Sequence, residues 1–451
     1  MTDSSSSSAP WPSPARAWYG LIALTVGLLV ATVDRGVISL LIEPIKRDLH
    51  VNDIDASLLI GGAFVSAYAF LGIPISRLAD AKSRRLIVGI GMAFWSVMTC
   101  FCGMAQSYQQ LFWARVGIGA GESAFAPATY SIITDSFPPE KLPRAMAIIS
   151  LGFTSGLALS SLVGGAVIQS IDRFPEIVLP VIGVVRPWQA VFIAVGLPGL
   201  IVAALMATVH EPPRRGFISR AGGNAGSSIK PMPIPQILSF LNKERATYVP
   251  MFVGMAIKTL LGFGSGLWMP SFFVRTYHWA IPKTAYALGV IAFVTSILGL
   301  IAGGWIAERY ARRGYDDANI RVLLVATILV LPTSVLFPLM PTAAWSLVLV
   351  GANTFFASLG IAPANAALQV VTPNEMRGLI RAMYQFVFNV VGYFLGPLFV
   401  AFFTVIVFRD DAAIRYSLTT AAAIVGPIAI AVTWWGLKPY ARSYARAREW
   451  S

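Results

Sequence analysis

The feature that most constrains this chain is a charged ten-residue segment that occurs twice. Residues 76–85 read SRLADAKSRR, and 228 positions later residues 304–313 read GWIAERYARR. Asp80 aligns with Glu308, Arg84 with Arg312, Arg85 with Arg313 and Ala81 with Arg309. Each copy follows a Gly-rich apolar stretch long enough to cross a bilayer. A second pair repeats the pattern: PPEKLPRAM at 138–146 and TPNEMRGLIRAM at 372–383 both end in Arg-Ala-Met, at Arg144 and Arg381. An internal duplication of this period, with both copies of each charged turn on one side of a membrane, is the simplest architecture that produces it.

Composition agrees. The chain has 451 residues, 56% of them hydrophobic and only 12% charged, with a mean hydropathy of +0.69. Soluble domains carry about 25% charged residues, so an ordinary globular fold is excluded. The net charge of +13 would suggest nucleic acid in a soluble protein. Here the basic residues sit in short scattered turns without interleaved aromatics, so they read as positive-inside anchors and nucleic-acid binding is not expected. The two cysteines, Cys100 and Cys102, are two apart and point to different helix faces; the three histidines lie far from one another. No metal or cofactor is expected.

The apolar runs predict an all-α membrane protein of twelve transmembrane helices: about 17–42, 55–79, 86–105, 109–135, 144–170, 187–209, 246–276, 284–307, 320–340, 343–371, 380–407 and 414–438. Residues 1–16 read as a disordered tail and 439–451 as a second tail. The Gly/Pro/Ser-rich stretch 210–245 reads as a linker between six-helix bundles at 17–209 and 246–438. Six helices per half give parallel topology and a pseudo-twofold axis along the membrane normal. With the N-terminus inside, 23 of the 34 Lys and Arg fall in inside segments, 8 in outside loops and 3 within helices. That asymmetry predicts that both termini and the central linker are cytoplasmic. The chain is expected to be a multi-pass protein of the plasma (inner) membrane, acting as a monomer.

Charges inside the helices mark the candidate chemistry. Asp34 and Arg35 lie in the first helix, Arg115 and Glu122 in the fourth and Lys258 in the seventh. Each costs about 2.5–3.5 kcal/mol at the bilayer centre, so each must face a wet cavity or pair with another. Helix depths allow an Asp34–Arg115 pair, with Glu122 about 10 Å deeper. A carboxylate there suits proton coupling, although plain helix packing explains the same residues. Lys258 is too deep to snorkel and suits an anionic substrate, with Arg115 as its counterpart in the other half. Asn353, Tyr384, Gln385 and Asn389 are polar groups that either bind a ligand or join helices. The Gly-rich helix five (Gly152, Gly156, Gly164, Gly165) predicts close helix packing. Asp80, Arg84, Arg85, Glu308, Arg309, Arg312 and Arg313 of the repeated turns are expected to form a cytoplasmic gate.

These turns, the RVGIGAG of helix four and the Gly-rich helix five resemble the major facilitator superfamily over residues 17–438. Within it, Asp34-Arg35, RVGIGAGESAFAPA and TPNEMRGLIRAMYQFVFNVVGYFLGP are similar to the Spinster group, which exports lysolipids and sphingoid phosphates. The resemblance implies a secondary transporter working by alternating access. Asp34 would be the proton-coupling acid, with Arg35, Arg115 and Glu122 as its charged network. The expected cargo is an organic anion, amphipathic in the Spinster reading. Symporters of sugar acids, which also carry Asp-Arg in helix one and Arg in helix four, supply the alternative. A membrane enzyme would need a nucleophile–base or metal cluster, and none is legible. A non-transporting sensor would need an added soluble domain.

Overall fold

A computed structural model describes residues 11–138, 140–174, 177–179, 183–214, 234–373 and 376–447. The chain forms α1 (Pro14–Leu49), α2 (Asp53–Ser57), α3 (Ala63–Ala81), α4 (Arg84–Cys102), α5 (Tyr108–Glu122), α6 (Phe125–Ser136), α7 (Leu142–Ile171) and α8 (Pro187–Met206). After the central linker come α9 (Ile234–Lys243), α10 (Arg245–Tyr277), α11 (Ile281–Arg312), α12 (Ala318–Leu336), α13 (Ala343–Leu359) and α14 (Ile361–Val370). Last are α15 (Arg377–Val387), α16 (Gly396–Phe402) and α17 (Ile414–Ala447). Among the described residues, ten helices are long and apolar enough to cross a membrane.

Local sequence explains the punctuation. Pro14 starts α1, where its missing N–H costs nothing, and His50 ends it in the left-handed conformation (φ 52°). Asn52 opens α2 with a capping box, accepting from the N–H groups of Ile54 and Asp55 while Asp55 reaches back to the Asn52 N–H. Ser83, Ser107 and Thr342 cap α4, α5 and α13 through their hydroxyls.

Four expected spans are interrupted. The fourth divides into α5 and α6 at Ser123–Ala124, directly after buried Glu122. The tenth breaks at Gly360 between α13 and α14. The eleventh runs through two π-helical stretches, Phe388–Leu395 and Phe403–Phe408, and the second contains a similar segment at Leu58–Gly62 between α2 and α3. A π turn displaces the i→i−4 ladder and frees carbonyls for other partners.

The stretch expected as a tail from residue 439 is instead helical: α17 continues through Pro439 to Ala447, where Tyr440 is fully buried and Arg446 pairs with Glu244. Within the expected linker, α9 was not foreseen, and residues 215–233 lie outside the described residues. A short antiparallel hairpin, β1 (Ile177–Leu179) with β2 (Gly183–Val185), decorates the α7–α8 connection, so the fold is all-helical apart from it.

Glycines set the closest approaches. Along α7, Gly152, Gly156 and Gly164 face Thr25, Thr32 and Leu40 of α1; a Cβ at Gly156 would lie 2.8 Å from Thr32 Cβ. The packing expected for this stripe is what forms. The α7–α11 contact joins the first part of the chain to the second through Gly165 against Ala285 and a Tyr286–Gln169 hydrogen bond of 2.8 Å. A second seam sets the Leu58–Gly62 π turn against the Phe388–Leu395 π segment, where a Cβ on Gly61 would lie 2.0 Å from the Tyr393 carbonyl.

Candidate functional site

Asp34 and Arg35 are neighbours on α1 and point roughly 100° apart, so they serve different partners. The Asp34 side chain is 1% exposed and turns toward α4, accepting a 3.1 Å hydrogen bond from the Thr99 hydroxyl. Its second oxygen has no hydrogen-bond partner among the described residues. Arg35 turns toward α3 and α5. Its guanidinium pairs with Glu122 and lies over the rings of Phe64 (4.8 Å) and Tyr68 (5.4 Å). Two aromatic faces and one carboxylate together compensate a cation that lipid would penalise.

Arg115 is fully buried but does not reach Asp34. It donates instead to the carbonyls of Leu59 and Ile60, both at 3.3 Å, in the π turn of helix two. The expected Asp34–Arg115 pair is therefore replaced by Arg35–Glu122. The cause is backbone chemistry: the π turn supplies acceptors at the depth of Arg115, and sequence periodicity does not show it. Glu122 is 1% exposed, with one oxygen on Arg35 and the other without a partner among the described residues.

Lys258 on α10 lies apart from this network. Its ammonium donates to the Ala357 carbonyl (3.2 Å) near the end of α13, beside the break at Gly360, whose added Cβ would meet the Lys258 nitrogen at 2.4 Å. The negative end of α13 accounts for a cation at that depth. Asn353 donates its side-chain NH2 to the Val330 carbonyl, Thr333 and Ser334 of α12, so it joins these two helices. Tyr384 is buried against Phe252 (ring centroids 5.6 Å), and Asn389 donates to the Gln385 carbonyl. Gln385 is exposed.

Among the described residues the repeated turns do not meet. Arg84 is buried and pairs with Asp135 while donating to Ser131 and to the Pro212 carbonyl; Arg85 donates to the carbonyls of Ala207 and Val209. All of these partners lie in the first part of the chain. Glu308 pairs with Arg312 one turn along α11, and Arg309 covers Trp305. Arg313 ends α11 as its C-cap. The Asp80 side chain lies outside the described residues. Among the described residues, no ion pair joins the two copies. The cross-links expected of a gate sit at the opposite face instead. Arg275 at the far end of α10 makes a bidentate pair with Asp53 (2.7 and 2.8 Å) and reaches Glu43 at 2.9 Å. Lys46 bridges Asp53 and Asp411. In the sequence Lys46 and Arg275 are two charges near helix ends, and only the fold brings Glu43, Asp53 and Asp411 beside them.

Tyr393 was also overlooked as a site residue. Its hydroxyl donates to the Arg35 carbonyl at 3.2 Å, and its ring packs on Phe64 (5.8 Å) and Phe263 (5.2 Å). It connects the charged network to the second part of the chain.

The model of the Major Facilitator Superfamily matches residues 24–397. The chain belongs to that superfamily. It is a multi-pass membrane transporter and not an enzyme. An MFS-type efflux pump of Mycolicibacterium smegmatis is 25% identical over 85% of this chain and 83% of its own length. A hexuronate transporter of Bacillus subtilis is 23% identical over 85% of this chain and 86% of its own. The crystal structure of a bacterial homolog of the human lysosomal transporter Spinster, in an inward-facing and unoccupied conformation, superposes with a TM-score of 0.77. It is 22% identical and covers 97% of this chain and 99% of that one, so the two share a fold. Among superfamily members, the chain resembles the Spinster group.

Proposed function

We propose that the protein is a proton-coupled, alternating-access transporter of an organic anion, built as twelve helices in two six-helix bundles around a pseudo-twofold axis. Both termini lie on the cytoplasmic side of the plasma membrane. Asp34 and Glu122 exchange the proton, and Arg35 and Arg115 hold the charged network. One observation carries the reading: two buried carboxyls, Asp34 on α1 and Glu122 on α5, have unequal partners. Among the described residues Asp34 has a hydroxyl donor and an open oxygen, so it can take up a proton without touching an ion pair. Glu122 also has an open oxygen, but a proton there cancels the charge that holds Arg35. Paired carboxyls in unequal environments divide acid and base roles between them.

The link to conformation runs through Arg35, whose carbonyl accepts from Tyr393 of the other bundle. Releasing Arg35 from Glu122 alters the helix-one surface on which Tyr393 rests. Arg115 and Lys258 are the candidate anion contacts, one from each bundle, with Gln385, Asn389 and Tyr384 on the second bundle's wall. The turns containing Asp80, Arg84, Arg85, Glu308, Arg309, Arg312 and Arg313 gate the termini side in the state where they meet. The aromatics around the seam (Phe64, Phe263, Tyr393) and the likeness to the Spinster fold support an amphipathic anion such as a lysolipid or sphingoid phosphate. The hexuronate transporter, alike over 85% of the chain, supports a sugar acid as the second reading.

Asp34→Asn tests the coupling. In proteoliposomes carrying a proton gradient, the variant should lose gradient-driven uptake while folding and expressing normally; unchanged uptake would sink the assignment. A thermal-shift screen with lysophospholipids and hexuronates side by side selects the substrate class, because only a ligand of the native state raises the melting temperature.

A further inference from the structure

The two Arg-Ala-Met turns are equivalent in sequence but not in use. Arg144 on α7 lays its guanidinium over the Trp18 ring at 5.5 Å. Arg381 on α15 is exposed and has no ion pair, ring or hydrogen-bond partner among the described residues. It borders a cavity of about 260 Å³ that is also lined by Asn365, Leu368, Gln369, Thr372 and Arg377. Arg377 donates its Nε to the carbonyls of Gln369 and Thr372, both at 3.0 Å, which fixes the guanidinium on the cavity wall, and its terminal nitrogens have no partner among the described residues. No acidic residue lines the cavity among the described residues.

Helix α15 is two-faced in a way that aims these groups. Ile380 and Tyr384 are buried among Tyr248, Ile320 and Leu368, while Arg377, Arg381 and Gln385 follow one another at four-residue spacing on the exposed side. Residues four apart on a helix stack one turn above the next. Two guanidinium forks therefore stand over the cavity, and the amide of Gln385 continues the track toward the membrane interior. Planar forks of this kind suit a phosphate or carboxylate that accepts in pairs.

We infer that the cavity between α14 and α15, with Arg381 as its main contact and Arg377 as its second, binds the phosphate monoester of an anionic headgroup on the termini side of the protein. The inference rests on the proposed anionic substrate only for its choice of probe. The cavity is smaller than the roughly 300–1,000 Å³ of sites that enclose a drug-sized ligand, so it takes a headgroup and leaves any chain outside. The exposed Leu379 and Phe386 on the same helix offer apolar surface for that chain. The headgroup belongs either to a transported lysolipid on its way to the central site or to a resident membrane lipid.

The test uses the full-length protein in phosphatidylcholine nanodiscs, with binding of lysophosphatidic acid and glycerol 3-phosphate measured by thermophoresis. Arg381→Gln should weaken lysophosphatidic acid about tenfold, Arg381→Lys should restore part of the loss, and Arg144→Gln should change nothing, because that guanidinium is already engaged. Competition by glycerol 3-phosphate identifies the headgroup as the recognised part. Loss of lysophosphatidic acid binding in discs containing phosphatidic acid identifies a resident lipid as the native occupant. Wild-type affinity in Arg381→Gln, or no binding of either probe to the wild-type protein, would overturn the inference. Asp34→Asn should bind the probe normally, which separates the two ideas. Arg381-dependent binding of a probe that is never transported would leave this site standing and count against an anionic lipid as cargo. Transport without Arg381-dependent binding would do the reverse.

Discussion

Arg275→Met should open the face opposite the termini. In the structure this guanidinium donates twice to Asp53, once to Glu43 and, at 3.2 Å, to the Asp411 carbonyl. Asp53 and Arg275 are both largely hidden, with side-chain exposures of 1% and 8%. Removing one member of a buried pair typically costs about 3–5 kcal/mol, because the other charge is stranded. Here Lys46 remains on Asp53 and shares its charge, so the lower end, about 3 kcal/mol, is the reasonable figure. These contacts cross between the two parts of the chain, and under the proposed alternating access they break when that face opens. Their loss therefore shifts the closed/open ratio by about 100-fold. A protein that rests 99:1 closed would become an almost even mixture. Electron–electron double resonance between spin labels at Val51 and Arg409, in a background lacking Cys100 and Cys102, reports the ratio directly. The wild type should give one short distance and Arg275→Met a second, longer population of comparable weight. Arg275→Lys, which keeps a point charge but not the fork, should lie between them. A single unchanged short distance in Arg275→Met would refute the reasoning and leave the cluster as surface decoration.

Gly61→Ala should act on the same equilibrium from the seam. Its Cβ would sit 2.0 Å from the Tyr393 carbonyl, whereas Gly62→Ala meets only movable Leu58 and Phe394 side chains at 3.1 Å. The first should lengthen the same spin-label distance and the second should leave it nearly unchanged. Glu211 gives a pH signature outside the membrane-spanning helices. Burial alone would raise its carboxyl, but the Ser83 hydroxyl, the Arg84 N–H and the Arg84 guanidinium together hold it below the usual range. A depressed carboxyl stabilises the fold above its unfolded pKa and loses that contribution as pH falls through the folded value. The melting temperature of Glu211→Gln in detergent should therefore lie below wild type at pH 7 and converge with it in acid; a gap independent of pH would contradict the assignment.

Much of the fold was legible because apolar runs of spanning length have few alternative uses. The charged turns were legible because duplication wrote them twice. What periodicity could not show were the breaks inside spans. The π turn at Leu58–Gly62 and the interruptions at Ser123 and Gly360 depend on which carbonyls find partners from other helices, and these partners are distant in sequence. The last span was expected to end at residue 438, yet the packing of Tyr440 and the Arg446–Glu244 pair carry α17 through Pro439. The site shows the same division. Asp34, Arg35, Arg115 and Glu122 were identifiable one by one, since charge in a membrane helix demands a reason. Their pairing was not identifiable, because depth alone cannot tell that Arg115 meets two backbone carbonyls and Arg35 meets Glu122.

The duplicated turns began as the evidence for two equivalent halves, and their contacts now argue that the halves do different work. Arg84 is anchored to Asp135, Ser131 and Pro212, whereas its counterpart Arg312 pairs with Glu308 on its own helix. Arg144 is seated on Trp18, whereas Arg381 has no partner among the described residues. The first part of the chain also holds four of the five intramembrane charges, locked among α1, α3, α4 and α5. The second contributes Tyr393, Lys258 at a helix break, and the freer arginines. The proposed coupling calls for this division, a rigid half that titrates and a looser half that receives the anion. In that proposal a proton moving between Asp34 and Glu122 changes the hold on Arg35, and Tyr393, which donates to the Arg35 carbonyl, would convey the change across the seam.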